Sequence, residues 1–263
     1  MKEKYDLLEK ISEDTFGKLY KAKVKNTGEL RAIKILDKYR MIDYGDDFYQ
    51  DILLKSFYNM TICGLHNINS VKLYEYCITE REIVIVTELM DETLGKFLRK
   101  RNQGLNPEEI LGILTQLNNT FKIMNNNLIV HRDLKLDNIF IKYTNNENTE
   151  YTIKLGNYEV STRLNPNNQK MDLKVGTKLF MAPEIFKSEI YDRKCDLWSL
   201  GVIIYLCLFI ESPIREEGND LILKEPLKAS GSALLDDLIR KLLVKNPDNR
   251  ITWEQYFEHP FFQ

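Results

Sequence analysis

Apolar and polar residues alternate with a period of two through residues 5–11, 19–24 and 30–36, the spacing of strands with one inward face. A turn at Asn26-Thr27-Gly28 joins the last two, so the first 36 residues predict an antiparallel meander. Residues 82–88 and 139–141 read as further strands, and the polar, Asn-rich stretch 143–151 as a lengthened hairpin turn. The period changes after Asn106-Pro107-Glu108-Glu109, which places Asn at an N-cap, Pro at N1 and Glu at N3 of a helix. Ile110, Ile113, Leu114, Leu117, Phe121 and Met124 then mark one apolar face, and Asn125-Asn126-Asn127 ends it. The longest apolar run, 197–210, is broken by Ser199 and Gly201; it is too short for a bilayer and predicts a buried helix. Trp198 and Trp253 are expected in the core, His66 and His259 at the surface or in turns, Glu216-Glu217 in a solvated loop and 165–168 at a loop tip.

Composition adds bounds rather than direction. The chain has 263 residues, 43% of them hydrophobic and 29% charged, enough to bury a sizeable core. A formal net charge of -2 gives no reason to expect nucleic acid or an anionic membrane as partner. Cys63, Cys77, Cys195 and Cys207 have neither CxxC spacing nor framework density, so reduced thiols and a cytoplasmic setting are expected. The start, Met1-Lys2-Glu3-Lys4-Tyr5-Asp6, has no apolar run of the secretory type.

The chemistry concentrates in His131-Arg132-Asp133-Leu134-Lys135-Leu136-Asp137-Asn138, a polar loop between a helical pattern and a strand. A carboxylate, a cation and an amide within six residues suit a hydroxyl, a phosphate and a divalent ion respectively. The eight residues resemble the catalytic loop of eukaryotic protein kinases, and Lys135 two places after Asp133 resembles the Ser/Thr type. The resemblance runs over residues 5–262 and implies an α+β, bilobal domain. It places an antiparallel sheet with one helix at about 5–88, a hinge at about 88–91 and a mainly helical lobe at about 92–262, leaving nothing for a second module. Asp133, Lys135, Asn138 and Thr177 are the implied catalytic residues, the last from Gly176-Thr177 near Met181-Ala182-Pro183-Glu184. Lys34 of Ala32-Ile33-Lys34 is the implied phosphate contact. Gly17, Leu19, Ala32, Thr87, Glu88, Met90 and Phe140 are the implied walls and hinge of an ATP site. Asp196 and Trp198 match the start of the buried large-lobe helix, and Arg250 matches the partner of Glu184. Only 18 residues separate Pro213 from Gly231, which implies shortened substrate-docking elements.

Three features depart from the family pattern. The glycine-rich turn keeps only Gly17; Ser12 and Asp14 replace two glycines, and Asp14 adds charge repulsion toward a polyphosphate, so weaker ATP binding is expected. No glutamate occurs between Arg31 and Tyr74 to hold Lys34; alignment puts Tyr58 there, and Asp51 lies about 10 Å away along the helix. Asn157-Tyr158-Glu159 replaces Asp-Phe-Gly, 27 residues before Glu184, which leaves Asn138 and Asn157 as the magnesium ligands. Between Leu164 and Val175 there is no Ser, Thr or Tyr, so activation by phosphorylation of that loop is not expected. His131 is expected to stack with Ile62, Leu73 and Tyr158 between the lobes. The expected partners are a nucleotide and a protein. Two functional readings remain open: a pseudokinase acting as scaffold or allosteric regulator, and a Ser/Thr kinase of low or unusual metal-dependent activity.

Overall fold

The computed structural model describes residues 3–13, 17–41, 46–218 and 220–263, and the side chains of these except 40–53. The meander forms from β1 (Tyr5–Glu13), β2 (Gly17–Val24) and β3 (Leu30–Asp37), with Tyr5 opposite Val24 and Gly17 opposite Leu36. After α1 (Lys38–Met41) and α2 (Asp46–Gly64), β4 (Leu73–Ile78) and β5 (Glu82–Glu88) complete a sheet in the order β1-β2-β3-β5-β4. Val84 and Val86 join the cluster on one face, with Ala22 and Ile33; Ile83 and Ile85 join the other, against Phe57 of α2. That is the alternation a period of two requires. In β1 only Tyr5 is buried, so its apolar alternation does not mark a core face. It is an edge strand whose Leu7, Leu8 and Ile11 stay exposed.

Glu88 leads into a second lobe: β6 (Glu92–Thr93), α3 (Leu94–Arg101), α4 (Pro107–Asn126), β7 (Ile129–Val130), β8 (Ile139–Tyr143), β9 (Tyr151–Leu155), β10 (Thr162–Arg163), α5 (Pro183–Phe186), α6 (Cys195–Phe209), β11 (Ile214–Glu217), β12 (Asp220–Leu223), α7 (Ala233–Leu242) and α8 (Trp253–Phe257). The architecture is α+β and bilobal. At the start of α4 the Asn106 side chain accepts from the Glu109 N–H at 2.9 Å, while the Glu109 carboxylate accepts from the Asn106 N–H at 2.9 Å. Two of the orphan donors at the helix start are thus satisfied. The expected hairpin is β8 paired to β9. The 197–210 run is the buried α6, where a Cβ at Gly201 would lie 2.9 Å from Leu242 and Leu243, so glycine lets α6 and α7 approach. No helix among the described residues is long and apolar enough to cross a membrane.

Two local expectations change. His259 is buried rather than at the surface: Nδ1 accepts from the Phe261 N–H and Nε2 meets Asp237 at 3.0 Å, because the imidazole caps the closing turn. Glu216 and Glu217 lie in β11, paired to β12, rather than in a loop. A buried ion pair closes the lobe: the Arg250 guanidinium donates to both Glu184 oxygens at 2.7 and 2.9 Å.

Candidate active site

The loop 131–138 lies between β7 and β8, and its backbone is set by a buried carboxylate. Asp196, at the head of α6, accepts from the N–H groups of His131 (2.7 Å) and Arg132 (2.9 Å). Burial pushes its carboxyl up to about 6 despite those bonds. Arg132 has a left-handed φ of 67°, a conformation that costs energy outside glycine, and its guanidinium Nε donates to the Val160 carbonyl at 2.6 Å. One of the five guanidinium N–H groups of Arg132 is thus tied to backbone. His131 is buried, which lowers it to about 4 and keeps it neutral. Its Nε2 lies 3.0 Å from the Gly156 carbonyl, so Nε2 carries the proton and donates, while Nδ1 accepts from the Asp133 N–H at 3.3 Å. The His131 and Tyr158 rings stand 5.1 Å apart, with Ile62 and Leu73 packed on the same core.

Asp133 is held on three sides. Thr177 Oγ1 donates to Oδ1 at 2.6 Å, Asn138 Nδ2 to Oδ2 at 3.0 Å, and Lys135 Nζ lies 2.9 Å from Oδ2 and 2.8 Å from Thr177 Oγ1. The residues expected to position a hydroxyl thus form one network. Above them a cleft of about 590 Å³ opens between the lobes, lined by Gly17, Leu19, Ala32, Lys34, Thr87, Glu88, Met90, Phe140, Lys135, Asn138 and Asn157. Gly17 has a reason of its own: a Cβ there would sit 2.1 Å from the Ile35 carbonyl oxygen, so β2 could not pass β3 with any larger residue. Asp14 and the Asp51 side chain lie outside the described residues.

The upper part of the cleft corrects two expectations. Lys34 does have a carboxylate partner: its Nζ lies 2.7 and 2.8 Å from the two oxygens of Glu159. The loss of a carboxylate at 157 is answered by a gain at 159, two residues on, and that paired change was the readable signal. Tyr58 does not face Lys34. It is exposed on the far side of α2, where Arg163 Nη1 donates to its hydroxyl at 3.2 Å and packs over its ring. Ser56, Phe57 and Met60 turn toward the cleft instead, since the buried side of α2 carries Ser56, Phe57, Asn59, Met60 and Cys63.

A magnesium ion between Asn138 and Asn157 fits these residues poorly. Asn138 Nδ2 is committed to Asp133, which turns Asn138 Oδ1 outward, and Asn157 Nδ2 donates to that oxygen at 2.8 Å. An amide N–H thus takes one of the two lone pairs of that oxygen, and neither side chain carries charge, whereas magnesium prefers carboxylates. Among the described residues no group of three or more His, Cys, Asp or Glu is placed to hold a metal. Tyr158 is buried with its hydroxyl 3.0 Å from Ser70 Oγ, and burial raises the phenol well above its usual range.

Residues 5–262 match the model of the family described as Protein kinase domain. The chain is 30% identical over 266 residues to serine/threonine-protein kinase TIO of Arabidopsis thaliana, covering 98% of this chain and 19% of that protein. It is 28% identical over 267 residues to serine/threonine-protein kinase 36 of Mus musculus, with the same two shares, 98% and 19%. Calcium-dependent protein kinase 5 of Plasmodium falciparum (isolate 3D7) is 30% identical over 269 residues, 97% of this chain and 44% of that protein. The chain thus spans 19% of the length of the first two of these relatives.

Proposed function

Because the chain belongs to the protein kinase domain family and to its Ser/Thr branch, we propose that it acts as a pseudokinase, an intracellular scaffold or allosteric partner whose conformation rather than phosphotransfer carries information. Protein kinase domains use ATP and magnesium, and their catalysis is almost wholly positioning and charge stabilisation. The single observation that carries the reading is that the two expected magnesium ligands are uncharged amides bonded to each other, Asn157 Nδ2 occupying one lone pair of Asn138 Oδ1. One lost contact of this kind costs about 3 kcal/mol of transition-state stabilisation. The thinned glycine turn adds a second loss, and at 1.36 kcal/mol per tenfold about 6 kcal/mol is roughly a 10⁴-fold deficit. A typical kinase turning over at about 1 to 100 per second would fall below a rate useful for signalling. Nucleotide is bound weakly, through the walls at Leu19, Ala32 and Phe140 and the hinge at Glu88 and Met90.

One observation favours the second reading, a Ser/Thr kinase of low or unusual metal-dependent activity: Asp133, Lys135, Asn138 and Thr177 are bonded in a single network that suits a catalytic base. The same bonds join the loop to the segment around Thr177, so structure alone accounts for them. Transfer of radiolabelled phosphate from ATP to generic protein substrates, in magnesium and in manganese, decides between the two. The proposal expects no label above that of Asp133→Ala; turnover that this substitution abolishes overturns it.

A further inference from the structure

The charges around Asn138 and Asn157 cancel in pairs. Lys34 meets Glu159 at 2.7 Å, and Lys135 meets Asp133 at 2.9 Å, so each of these two carboxylates has a lysine of its own. Asn138 and Asn157, which line the same cleft, are uncharged. The family pattern has an aspartate at 157, a carboxylate that faces the phosphates through the magnesium it shares with them. Such a carboxylate makes the cation necessary, because without one a triphosphate meets a bare like charge. In this chain the amide at 157 removes that repulsion. The amide is also a donor. Asn157 is exposed in the cleft and spends one N–H on Asn138 Oδ1 at 2.8 Å, whereas an amide nitrogen has two. The second suits a phosphate oxygen. One substitution thus makes magnesium fit poorly and makes a metal-free triphosphate easier to accept.

We propose that this cleft binds a nucleoside triphosphate without a divalent cation, Asn157 being the residue that removes the need for one. The inference rests on the proposed reading of a cleft that binds nucleotide without turning it over. Asn157 acts by withholding a negative charge and by donating to phosphate. Asn157→Asp reverses both at nearly constant shape, so it should return the cleft to dependence on a metal.

Calorimetric titration of the purified chain with ATP, in EDTA and in excess magnesium, tests this. The expected result for wild type is ATP binding in EDTA, with magnesium tightening it by no more than about threefold. In Asn157→Asp, ATP affinity in EDTA should fall about tenfold or more below wild type, and magnesium should recover it. Circular dichroism checks that the variant is folded; should it not fold, the wild-type comparison alone decides. Wild-type protein whose ATP affinity magnesium raises by more than that threefold overturns the proposal, as does a folded Asn157→Asp that loses less than that tenfold in EDTA. Wild-type protein that binds no ATP in either solution overturns it together with nucleotide binding itself. The radiolabel assay reads turnover independently: a chain that needs magnesium to bind ATP yet transfers no phosphate fails this inference and keeps the pseudokinase reading.

Discussion

The floor and the roof of the cleft are built to different standards. On the floor, Asp133 accepts from Thr177 and Asn138 and pairs with Lys135, while Asp196 fixes the loop backbone and Arg250–Glu184 locks the lobe behind it. Toward the roof, the charges have moved: Asn157 bonds to Asn138, Glu159 pairs with Lys34, and among the described side chains of α2 it is Ser56, Phe57 and Met60 that line the cleft. Every floor residue is tied into the fold by at least two bonds, so losing one costs stability. The roof contacts, Lys34–Glu159 and Asn157–Asn138, differ from the family pattern, whereas the floor contacts follow it.

The comparison can be broken most severely through the floor. Arg250→Ala strands a buried Glu184 carboxylate, and loss of one partner of a buried pair costs about 3–5 kcal/mol. Chemical denaturation should record a drop of that size; a change under about 1 kcal/mol would mean the pair is not a lock.

Next in size is the pH dependence of His131. Its folded value, about 4, lies below the unfolded 6.5, so it favours the folded state above pH 6.5 and loses that advantage as pH falls toward 4, by up to about 1.36 kcal/mol per unit. Asp196 runs the other way, its folded value of about 6 lying above 3.8, so its share is present below pH 3.8 and lost as pH rises through 6. The slopes oppose one another between pH 4 and 6. His131→Phe should therefore lose less stability than wild type as pH falls from 6.5 toward 4, with the two curves parallel above pH 6.5; curves parallel over the whole range would contradict the assignment.

On the roof, Asn157→Asp should raise phosphotransfer about 10²-fold by restoring one charged contact, measured as initial rate in magnesium. The smallest effect is expected at Tyr58. Because it faces Arg163 and not Lys34, Tyr58→Glu should leave nucleotide affinity within about twofold, whereas a residue inside the cleft would not.

Much of the floor was readable from sequence because its motif is contiguous: residues 131–138 carry their own geometry, and the α4 start is written in Asn106-Pro107-Glu108-Glu109. The roof was less readable because its partners are far apart in sequence. Lys34 and Glu159 are 125 residues apart, and no local pattern joins them. Tyr58 was misplaced because alignment from the far end of α2 fixed its position without fixing which side of the helix is buried. That side became visible only when Ser56, Phe57, Met60 and Cys63 were seen to share it. β1 misled for a related reason: alternation alone does not distinguish a core face from an edge strand.

The most direct measurement compares phosphate transfer by three proteins side by side: wild type, Asp133→Ala, and the double variant Asn157→Asp/Glu159→Gly. The account predicts that wild type and Asp133→Ala are indistinguishable and that the double variant gains a rate which Asp133→Ala added to it removes. A wild-type rate near 1 per second that vanishes in Asp133→Ala would contradict it.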